Sequence, residues 1–118
     1  MNETCIKENF YNLSEDEQRI ILIISSKIKS TDEQNKKYNF GVFDFMDLLE
    51  ITDEDRFSVI SRIMNSFMNK TFEIKKDDKI ILTPWLSSVD YEENTDQINL
   101  VISPKLKPYM LKLSDMFV

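Results

Sequence analysis

Two acidic triplets, Glu15-Asp16-Glu17 and Asp53-Glu54-Asp55, are the residues best placed for chemistry in this 118-residue chain. Carboxylates so close together could hold a divalent cation, or let one acid keep its proton while a neighbour acts as base. Each triplet also opens a run of helical periodicity. Acids in a first turn gain about 0.3–1 kcal/mol from the helix dipole, which is reason enough for their placing. Composition narrows the chemistry further. There is no histidine, so imidazole acid–base catalysis and histidine metal ligation are excluded. The single cysteine, Cys5, allows neither a thiolate zinc cluster nor an internal disulfide. Gly41 is the only glycine, so neither common Gly-rich phosphate loop can form. No enzyme, cofactor or metal is expected.

The longest apolar run, Ile20-Ile21-Leu22-Ile23-Ile24, has five residues. A membrane-spanning helix needs roughly 20. The opening MNETCIKENF carries acids and lacks an apolar centre, unlike a secretory leader. With the lone cysteine, these features point to a cytoplasmic protein. No Gly- or Pro-rich linker interrupts the chain, and residues 1–118 read as one domain. Net charge is −6 and uneven: residues 1–56 hold 13 acids and 7 bases, residues 57–118 hold 8 of each. A domain gripping DNA alone is usually basic on one face. Any nucleic-acid contact here must be local, or shared with another domain.

The elements that would position these residues follow from period and caps. Ser14 and Glu17 form a capping box ahead of QRIILIISSKI, which makes that β-branched run a helix. Residues 30–39 are polar and read as a loop, Phe40 to Phe43 as a short extended piece, and Asp44 to Leu49 as a short helix. Thr52 and Asp55 form a second capping box. From there Phe57, Ile60, Ile63, Met64, Phe67 and Met68 recur at helical spacing to Lys70, a stripe expected to pack in the core. The two helices joined at Ile51-Thr52-Asp53 resemble a helix-turn-helix. After Lys70 the period changes to two, giving strands at 71–75 and 80–82 about the turn Lys76-Asp77-Asp78-Lys79. Two more follow, with Trp85, Ser87, Val89 and Tyr91 on one face of the first and Ile98, Leu100 and Ile102 on one face of the second. Ser103 can cap the next turn, Pro104 suits a first helical position, and Pro108 disfavours a helical Lys107, so a short helix restarts at Pro108. Helix-turn-helix and then hairpins predict an α+β winged helix.

Three segments carry a family resemblance: LSEDEQRIILIISSKI, DFMDLLEI and PWLSSVDYEENTDQINLVISPKLKPYMLKL. In this order and spacing the chain resembles the N-terminal winged helix of plasmid replication initiators, from about Leu13 to Phe117. The resemblance implies a two-domain initiator in which a second winged helix, beyond this chain, reads repeated origin sequences. The first domain then mediates dimerisation and contacts mainly the DNA backbone. The implied partners are a second copy, plasmid origin DNA together with the second domain, and host replication proteins.

One departure matters. Family members often carry several lysines on the long helix, whereas this one begins with three acids and holds only Arg56, Arg62 and Lys70 as bases. Expected backbone contacts are therefore Arg56, Arg62 and Lys70, with Lys75, Lys76 and Lys79 at the hairpin. Lys105, Lys107 and Lys112 form another basic group around the prolines. For the dimer contact, exposed strand edges or apolar hairpin faces around Trp85, Val89 and Tyr91 are the expected surfaces. A winged-helix protein–protein module without DNA contact is the alternative, which the acidic balance suits. A hydrolase built on the clustered carboxylates is remote.

Overall fold

The computed structural model describes residues 3–50 and 56–116. Along the chain run α1 (Glu3–Tyr11), α2 (Glu15–Lys27), β1 (Lys37–Gly41), α3 (Val42–Leu48), α4 (Arg56–Met68), β2 (Thr71–Lys76), β3 (Lys79–Pro84), β4 (Leu86–Glu92), β5 (Gln97–Ile102) and α5 (Lys107–Met116). Strands β1, β5 and β4 form an antiparallel sheet in that order, and β2 and β3 form a separate hairpin. From α2 onward this is the expected order of helices and hairpins. The connection at 51–53 and the Thr52–Asp55 capping box lie outside the described residues.

The β-branched run stays helical for the expected local reason. Glu17 donates its amide to Ser14 Oγ at 3.2 Å, and Glu17 Oε1 accepts the Ser14 amide at 2.8 Å. Burial then holds it: Ile20, Ile21 and Ile24 are 0% exposed, and each fully buried side chain of this kind contributes about 1.5–3 kcal/mol. The face packs chiefly on α5 and also on α4. On α4, Ile60, Met64 and Phe67 are buried, as the stripe requires.

Three elements differ from the sequence reading. Helix α1 is absent from that reading, yet Ile6, Phe10 and the following Leu13 sit at helical spacing and are all buried. Strand β1 begins at Lys37 inside the supposed loop, because Tyr38 and Phe40 turn inward while Lys37 and Asn39 face water. Lys107 is helical (φ −52°, ψ −48°), and α5 starts there rather than at Pro108. Pro108 is then the second residue of the helix, where an amide has no partner to lose. Ser103 makes no side-chain cap bond. The short 3-10 turn Pro104–Leu106 is held instead by main chain, Leu106 N to Ser103 O at 2.9 Å.

Candidate nucleic-acid and self-association surfaces

The two-residue turn Asp77-Asp78, with Asp77 left-handed at φ 55°, pairs Lys76 with Lys79 across the hairpin. Lys75, Lys76 and Lys79 are all exposed. Like charges directly opposite one another on a sheet oppose folding, so this end concentrates positive potential, offset by the two turn aspartates. The other expected contacts are dispersed. Arg62 is exposed on α4. Lys70 stands 3.8 Å from the buried Glu17 carboxylate, which occupies it in tying α4 to α2. The side chain of Arg56 lies outside the described residues.

The basic group around the prolines is also divided. Lys107 donates to the carbonyls of Ser30 and Asp32, strapping the 29–36 loop to the start of α5. Asp32 is the centre of this strap, accepting from the Lys29 amide at 2.9 Å, the Tyr38 hydroxyl at 2.8 Å and Lys36 Nζ at 3.2 Å. The Lys29 amide first, then Tyr38 and Lys36, hold its carboxyl at about 2 against an opposing desolvation. Burial first, and the Asp32 carboxylate second, push the Tyr38 hydroxyl above its usual value.

Among the acids, Glu17 is consumed by the cap and Glu15 pairs with Arg19 at 3.1 Å. The triplet 53–55 lies outside the described residues. No cluster of three metal-ligating side chains occurs among the described residues.

Trp85 is not a surface residue. It is 1% exposed, with its ring 4.9 Å from Phe72 and 6.2 Å from Phe67, and cannot form a contact face in the folded domain. Trp85 precedes β4, whose pairing with β5 carries a register shift between Leu86 and Ser88. The shift puts Leu86, not Trp85, in phase with Val89 and Tyr91, opposite Ile102, Leu100 and Ile98. Val89 and Tyr91 are half-buried and line a groove of about 550 Å³ between α4 and β4, with Val42, Ile60, Met64 and Met68. The stripe on α4 thus serves the core and this groove together.

The most exposed apolar residues on any described strand are Ile80 and Leu82 of β3, at 65% and 64%. The sequence reading placed the strand but not its outward face. Alternation gave a signal: Ile80 and Leu82 share one phase, and Ile81 takes the other with Thr83.

Comparison with known proteins is consistent along the chain. The family described as initiator replication protein, WH1, matches residues 3–118. The crystal structure of the MSBI1.176 WH1 domain, a replication protein isolated from a multiple sclerosis patient, superimposes with a TM-score of 0.64. It is 18% identical, and the match covers 92% of this chain and 88% of that one. No curated protein matches in sequence. The fold is a winged helix of the WH1 type. No helix among the described residues is long and apolar enough to cross a membrane.

Proposed function

This chain belongs to the initiator replication protein WH1 family, and we propose that it is the N-terminal domain of a plasmid replication initiator. In this reading it mediates self-association and adds DNA-backbone contacts at the origin, while a second winged helix reads the bases. The observation that carries it is the family match over residues 3–118. Two features of the surface support the finer parts. The exposed Lys75, Lys76 and Lys79 suit phosphate contact, and the exposed Ile80 and Leu82 suit association with a second copy. The net charge of −6 keeps a second reading in view, a protein–protein module that does not touch DNA.

Binding of an initiator containing both domains to origin duplex, over a series of salt concentrations, tests the DNA part. Replacing Lys75, Lys76 and Lys79 by Ala should weaken binding equally for origin and unrelated duplex. The salt slope should become shallower by about 0.9 for each phosphate that is no longer neutralised. An unchanged slope would favour the second reading.

A further inference from the structure

The three-stranded sheet ends at β4, and the way that edge faces follows from its neighbours. Val42 donates to Asp96 O at 2.8 Å, so Phe40–Ile98 and Tyr38–Leu100, in the same phase, are the hydrogen-bonded pairs of β1 with β5. A central strand turns alternate residues to alternate neighbours, which leaves Gln97, Asn99 and Val101 bonded to β4. Ser103, next in that phase, does donate to Trp85 O at 3.3 Å. Opposite these residues on β4 stand Glu92, Asp90 and Ser88. Val89 lies between Ser88 and Asp90, so its amide and carbonyl face away from the sheet. Neither has a hydrogen bond among the described residues.

The groove of about 550 Å³ between α4 and β4 adjoins this edge. Val89 lines it from β4, and Ser61, Met64, Asn65 and Met68 line it from α4. Its size and mostly apolar walls suit a bound group, and the two thioethers can adapt to what enters. No base lines it among the described residues. The charge along the edge is of one sign, since residues 88–96 hold Asp90, Glu92, Glu93 and Asp96 and no base. The carboxylates of Asp90 and Glu92 stand together on the outer face of β4, both accepting from the Asn99 side-chain amide, at 2.7 and 2.9 Å. Lys37 comes only within 3.8 Å of Asp90, whose side chain stays 48% exposed.

We infer that this edge takes an extended segment of a partner protein in which apolar and basic residues alternate, added antiparallel to β4 as a fourth strand. The residue opposite Val89 exchanges both main-chain bonds with it and lowers an apolar side chain into the groove beside Met64 and Met68. Alternation then sends the residues opposite Asp90 and Glu92 to the outer face, where Lys or Arg completes cross-strand pairs of opposite charge. An acidic segment meets like charges at both positions, and so does the β4 of a second copy. A helix laid in the groove leaves the Val89 amide and carbonyl unmatched. None of the hairpin lysines lines the groove, so the segment binds whether or not they meet DNA.

A fluorescein-labelled peptide, Thr-Lys-Ile-Lys-Val-Lys, titrated with this chain and followed by anisotropy, is the probe. It should bind, and Thr-Glu-Ile-Glu-Val-Glu should not. The reordered Thr-Lys-Lys-Lys-Ile-Val, equal in charge but without alternation, should bind about tenfold more weakly or worse. Asn65→Lys with Asp90→Asn adds a positive charge at the groove rim and removes a paired carboxylate from an exposed site. This double variant should weaken the first peptide by about tenfold, with the parent's circular dichroism retained. On saturation, hydrogen exchange at the Val89 amide should slow, a change that charge attraction alone does not produce. Equal binding of the reordered peptide with Val89 unprotected, or a bound peptide that is helical, overturns the strand pairing. So does a Val89 amide already protected without peptide and exposed on dilution, which would make a second copy the occupant. Equal binding of the glutamate peptide, or no binding of the lysine peptide at high micromolar concentration, removes the site.

Discussion

Glu17 and Lys70 meet at 3.8 Å, joining the start of α2 to the end of α4. The same carboxylate oxygen accepts the Ser14 amide, and its second oxygen lies 3.5 Å from the Ser66 hydroxyl. One buried acid therefore caps its own helix and fastens a second.

The ion pair is half shielded, with Glu17 side chain 3% and Lys70 42% exposed. Its coupling should be modest, about 0.5–1 kcal/mol, because the lysine remains well solvated. A double-mutant cycle of Glu17→Gln and Lys70→Met by urea unfolding measures it. A coupling of zero would mean that Glu17 acts only as a cap.

Ser14→Ala removes the other half of the box and should cost about 0.5–2 kcal/mol, lowering the melting temperature by several degrees. A surface change such as Lys36→Ala is a poor control, since Lys36 reaches Asp32; Lys29→Ala, which loses only an exposed side chain, is better. The uncapped run Ile20 to Ile24 is strongly β-prone, so the variant should also aggregate faster into thioflavin-positive material. In a peptide of residues 18–28, Ile23→Lys or Ile24→Lys should abolish fibre formation. Equal aggregation by Ser14→Ala and the parent would separate the cap from this hazard.

The strap at Asp32 should be sensitive to acid. Its carboxyl is lowered from 3.8 to about 2 on folding, so the stabilisation is present above pH 3.8 and lost as pH falls through about 2. Asp32→Asn should melt below the parent at neutral pH, and the gap should close between those two values. A gap that stays constant down to about pH 2 would show that the charge of Asp32 contributes nothing.

Asn9→Ala should leave the Glu73 amide without its partner at the outer edge of β2, and the Glu73 carbonyl with the Cys5 thiol at 3.2 Å in place of the amide donor. The expected loss is about 1–3 kcal/mol. Hydrogen exchange should quicken at the Glu73 amide before the rest of the hairpin opens. Unchanged protection there would mean that water replaces the asparagine without cost.

What the residues alone determined lies within a few positions of each cause. The Ser14–Glu17 box, the 3.6-residue stripe from Ile60 to Phe67, the Asp77-Asp78 turn and the two hairpins all follow from neighbours in sequence, because caps, periods and turns are local. Three short segments, in order, also carried the family resemblance. Only the tertiary structure decided which side chains remain available. Asn9 reaches Glu73 across 64 positions to plug one edge, and Lys107 is taken up by carbonyls 75 and 77 positions earlier. The register shift at Ser87 puts Leu86 instead of Trp85 in phase with Val89 and Tyr91, since a slip of one residue exchanges the two faces of a strand, and Trp85 packs on Phe67 and Phe72 from distant elements. The exposure of Ile80 and Leu82 is of the same kind. Among the described residues no other element covers that face of β3, and alternation within the strand groups Ile80 with Leu82 without saying which face is left open.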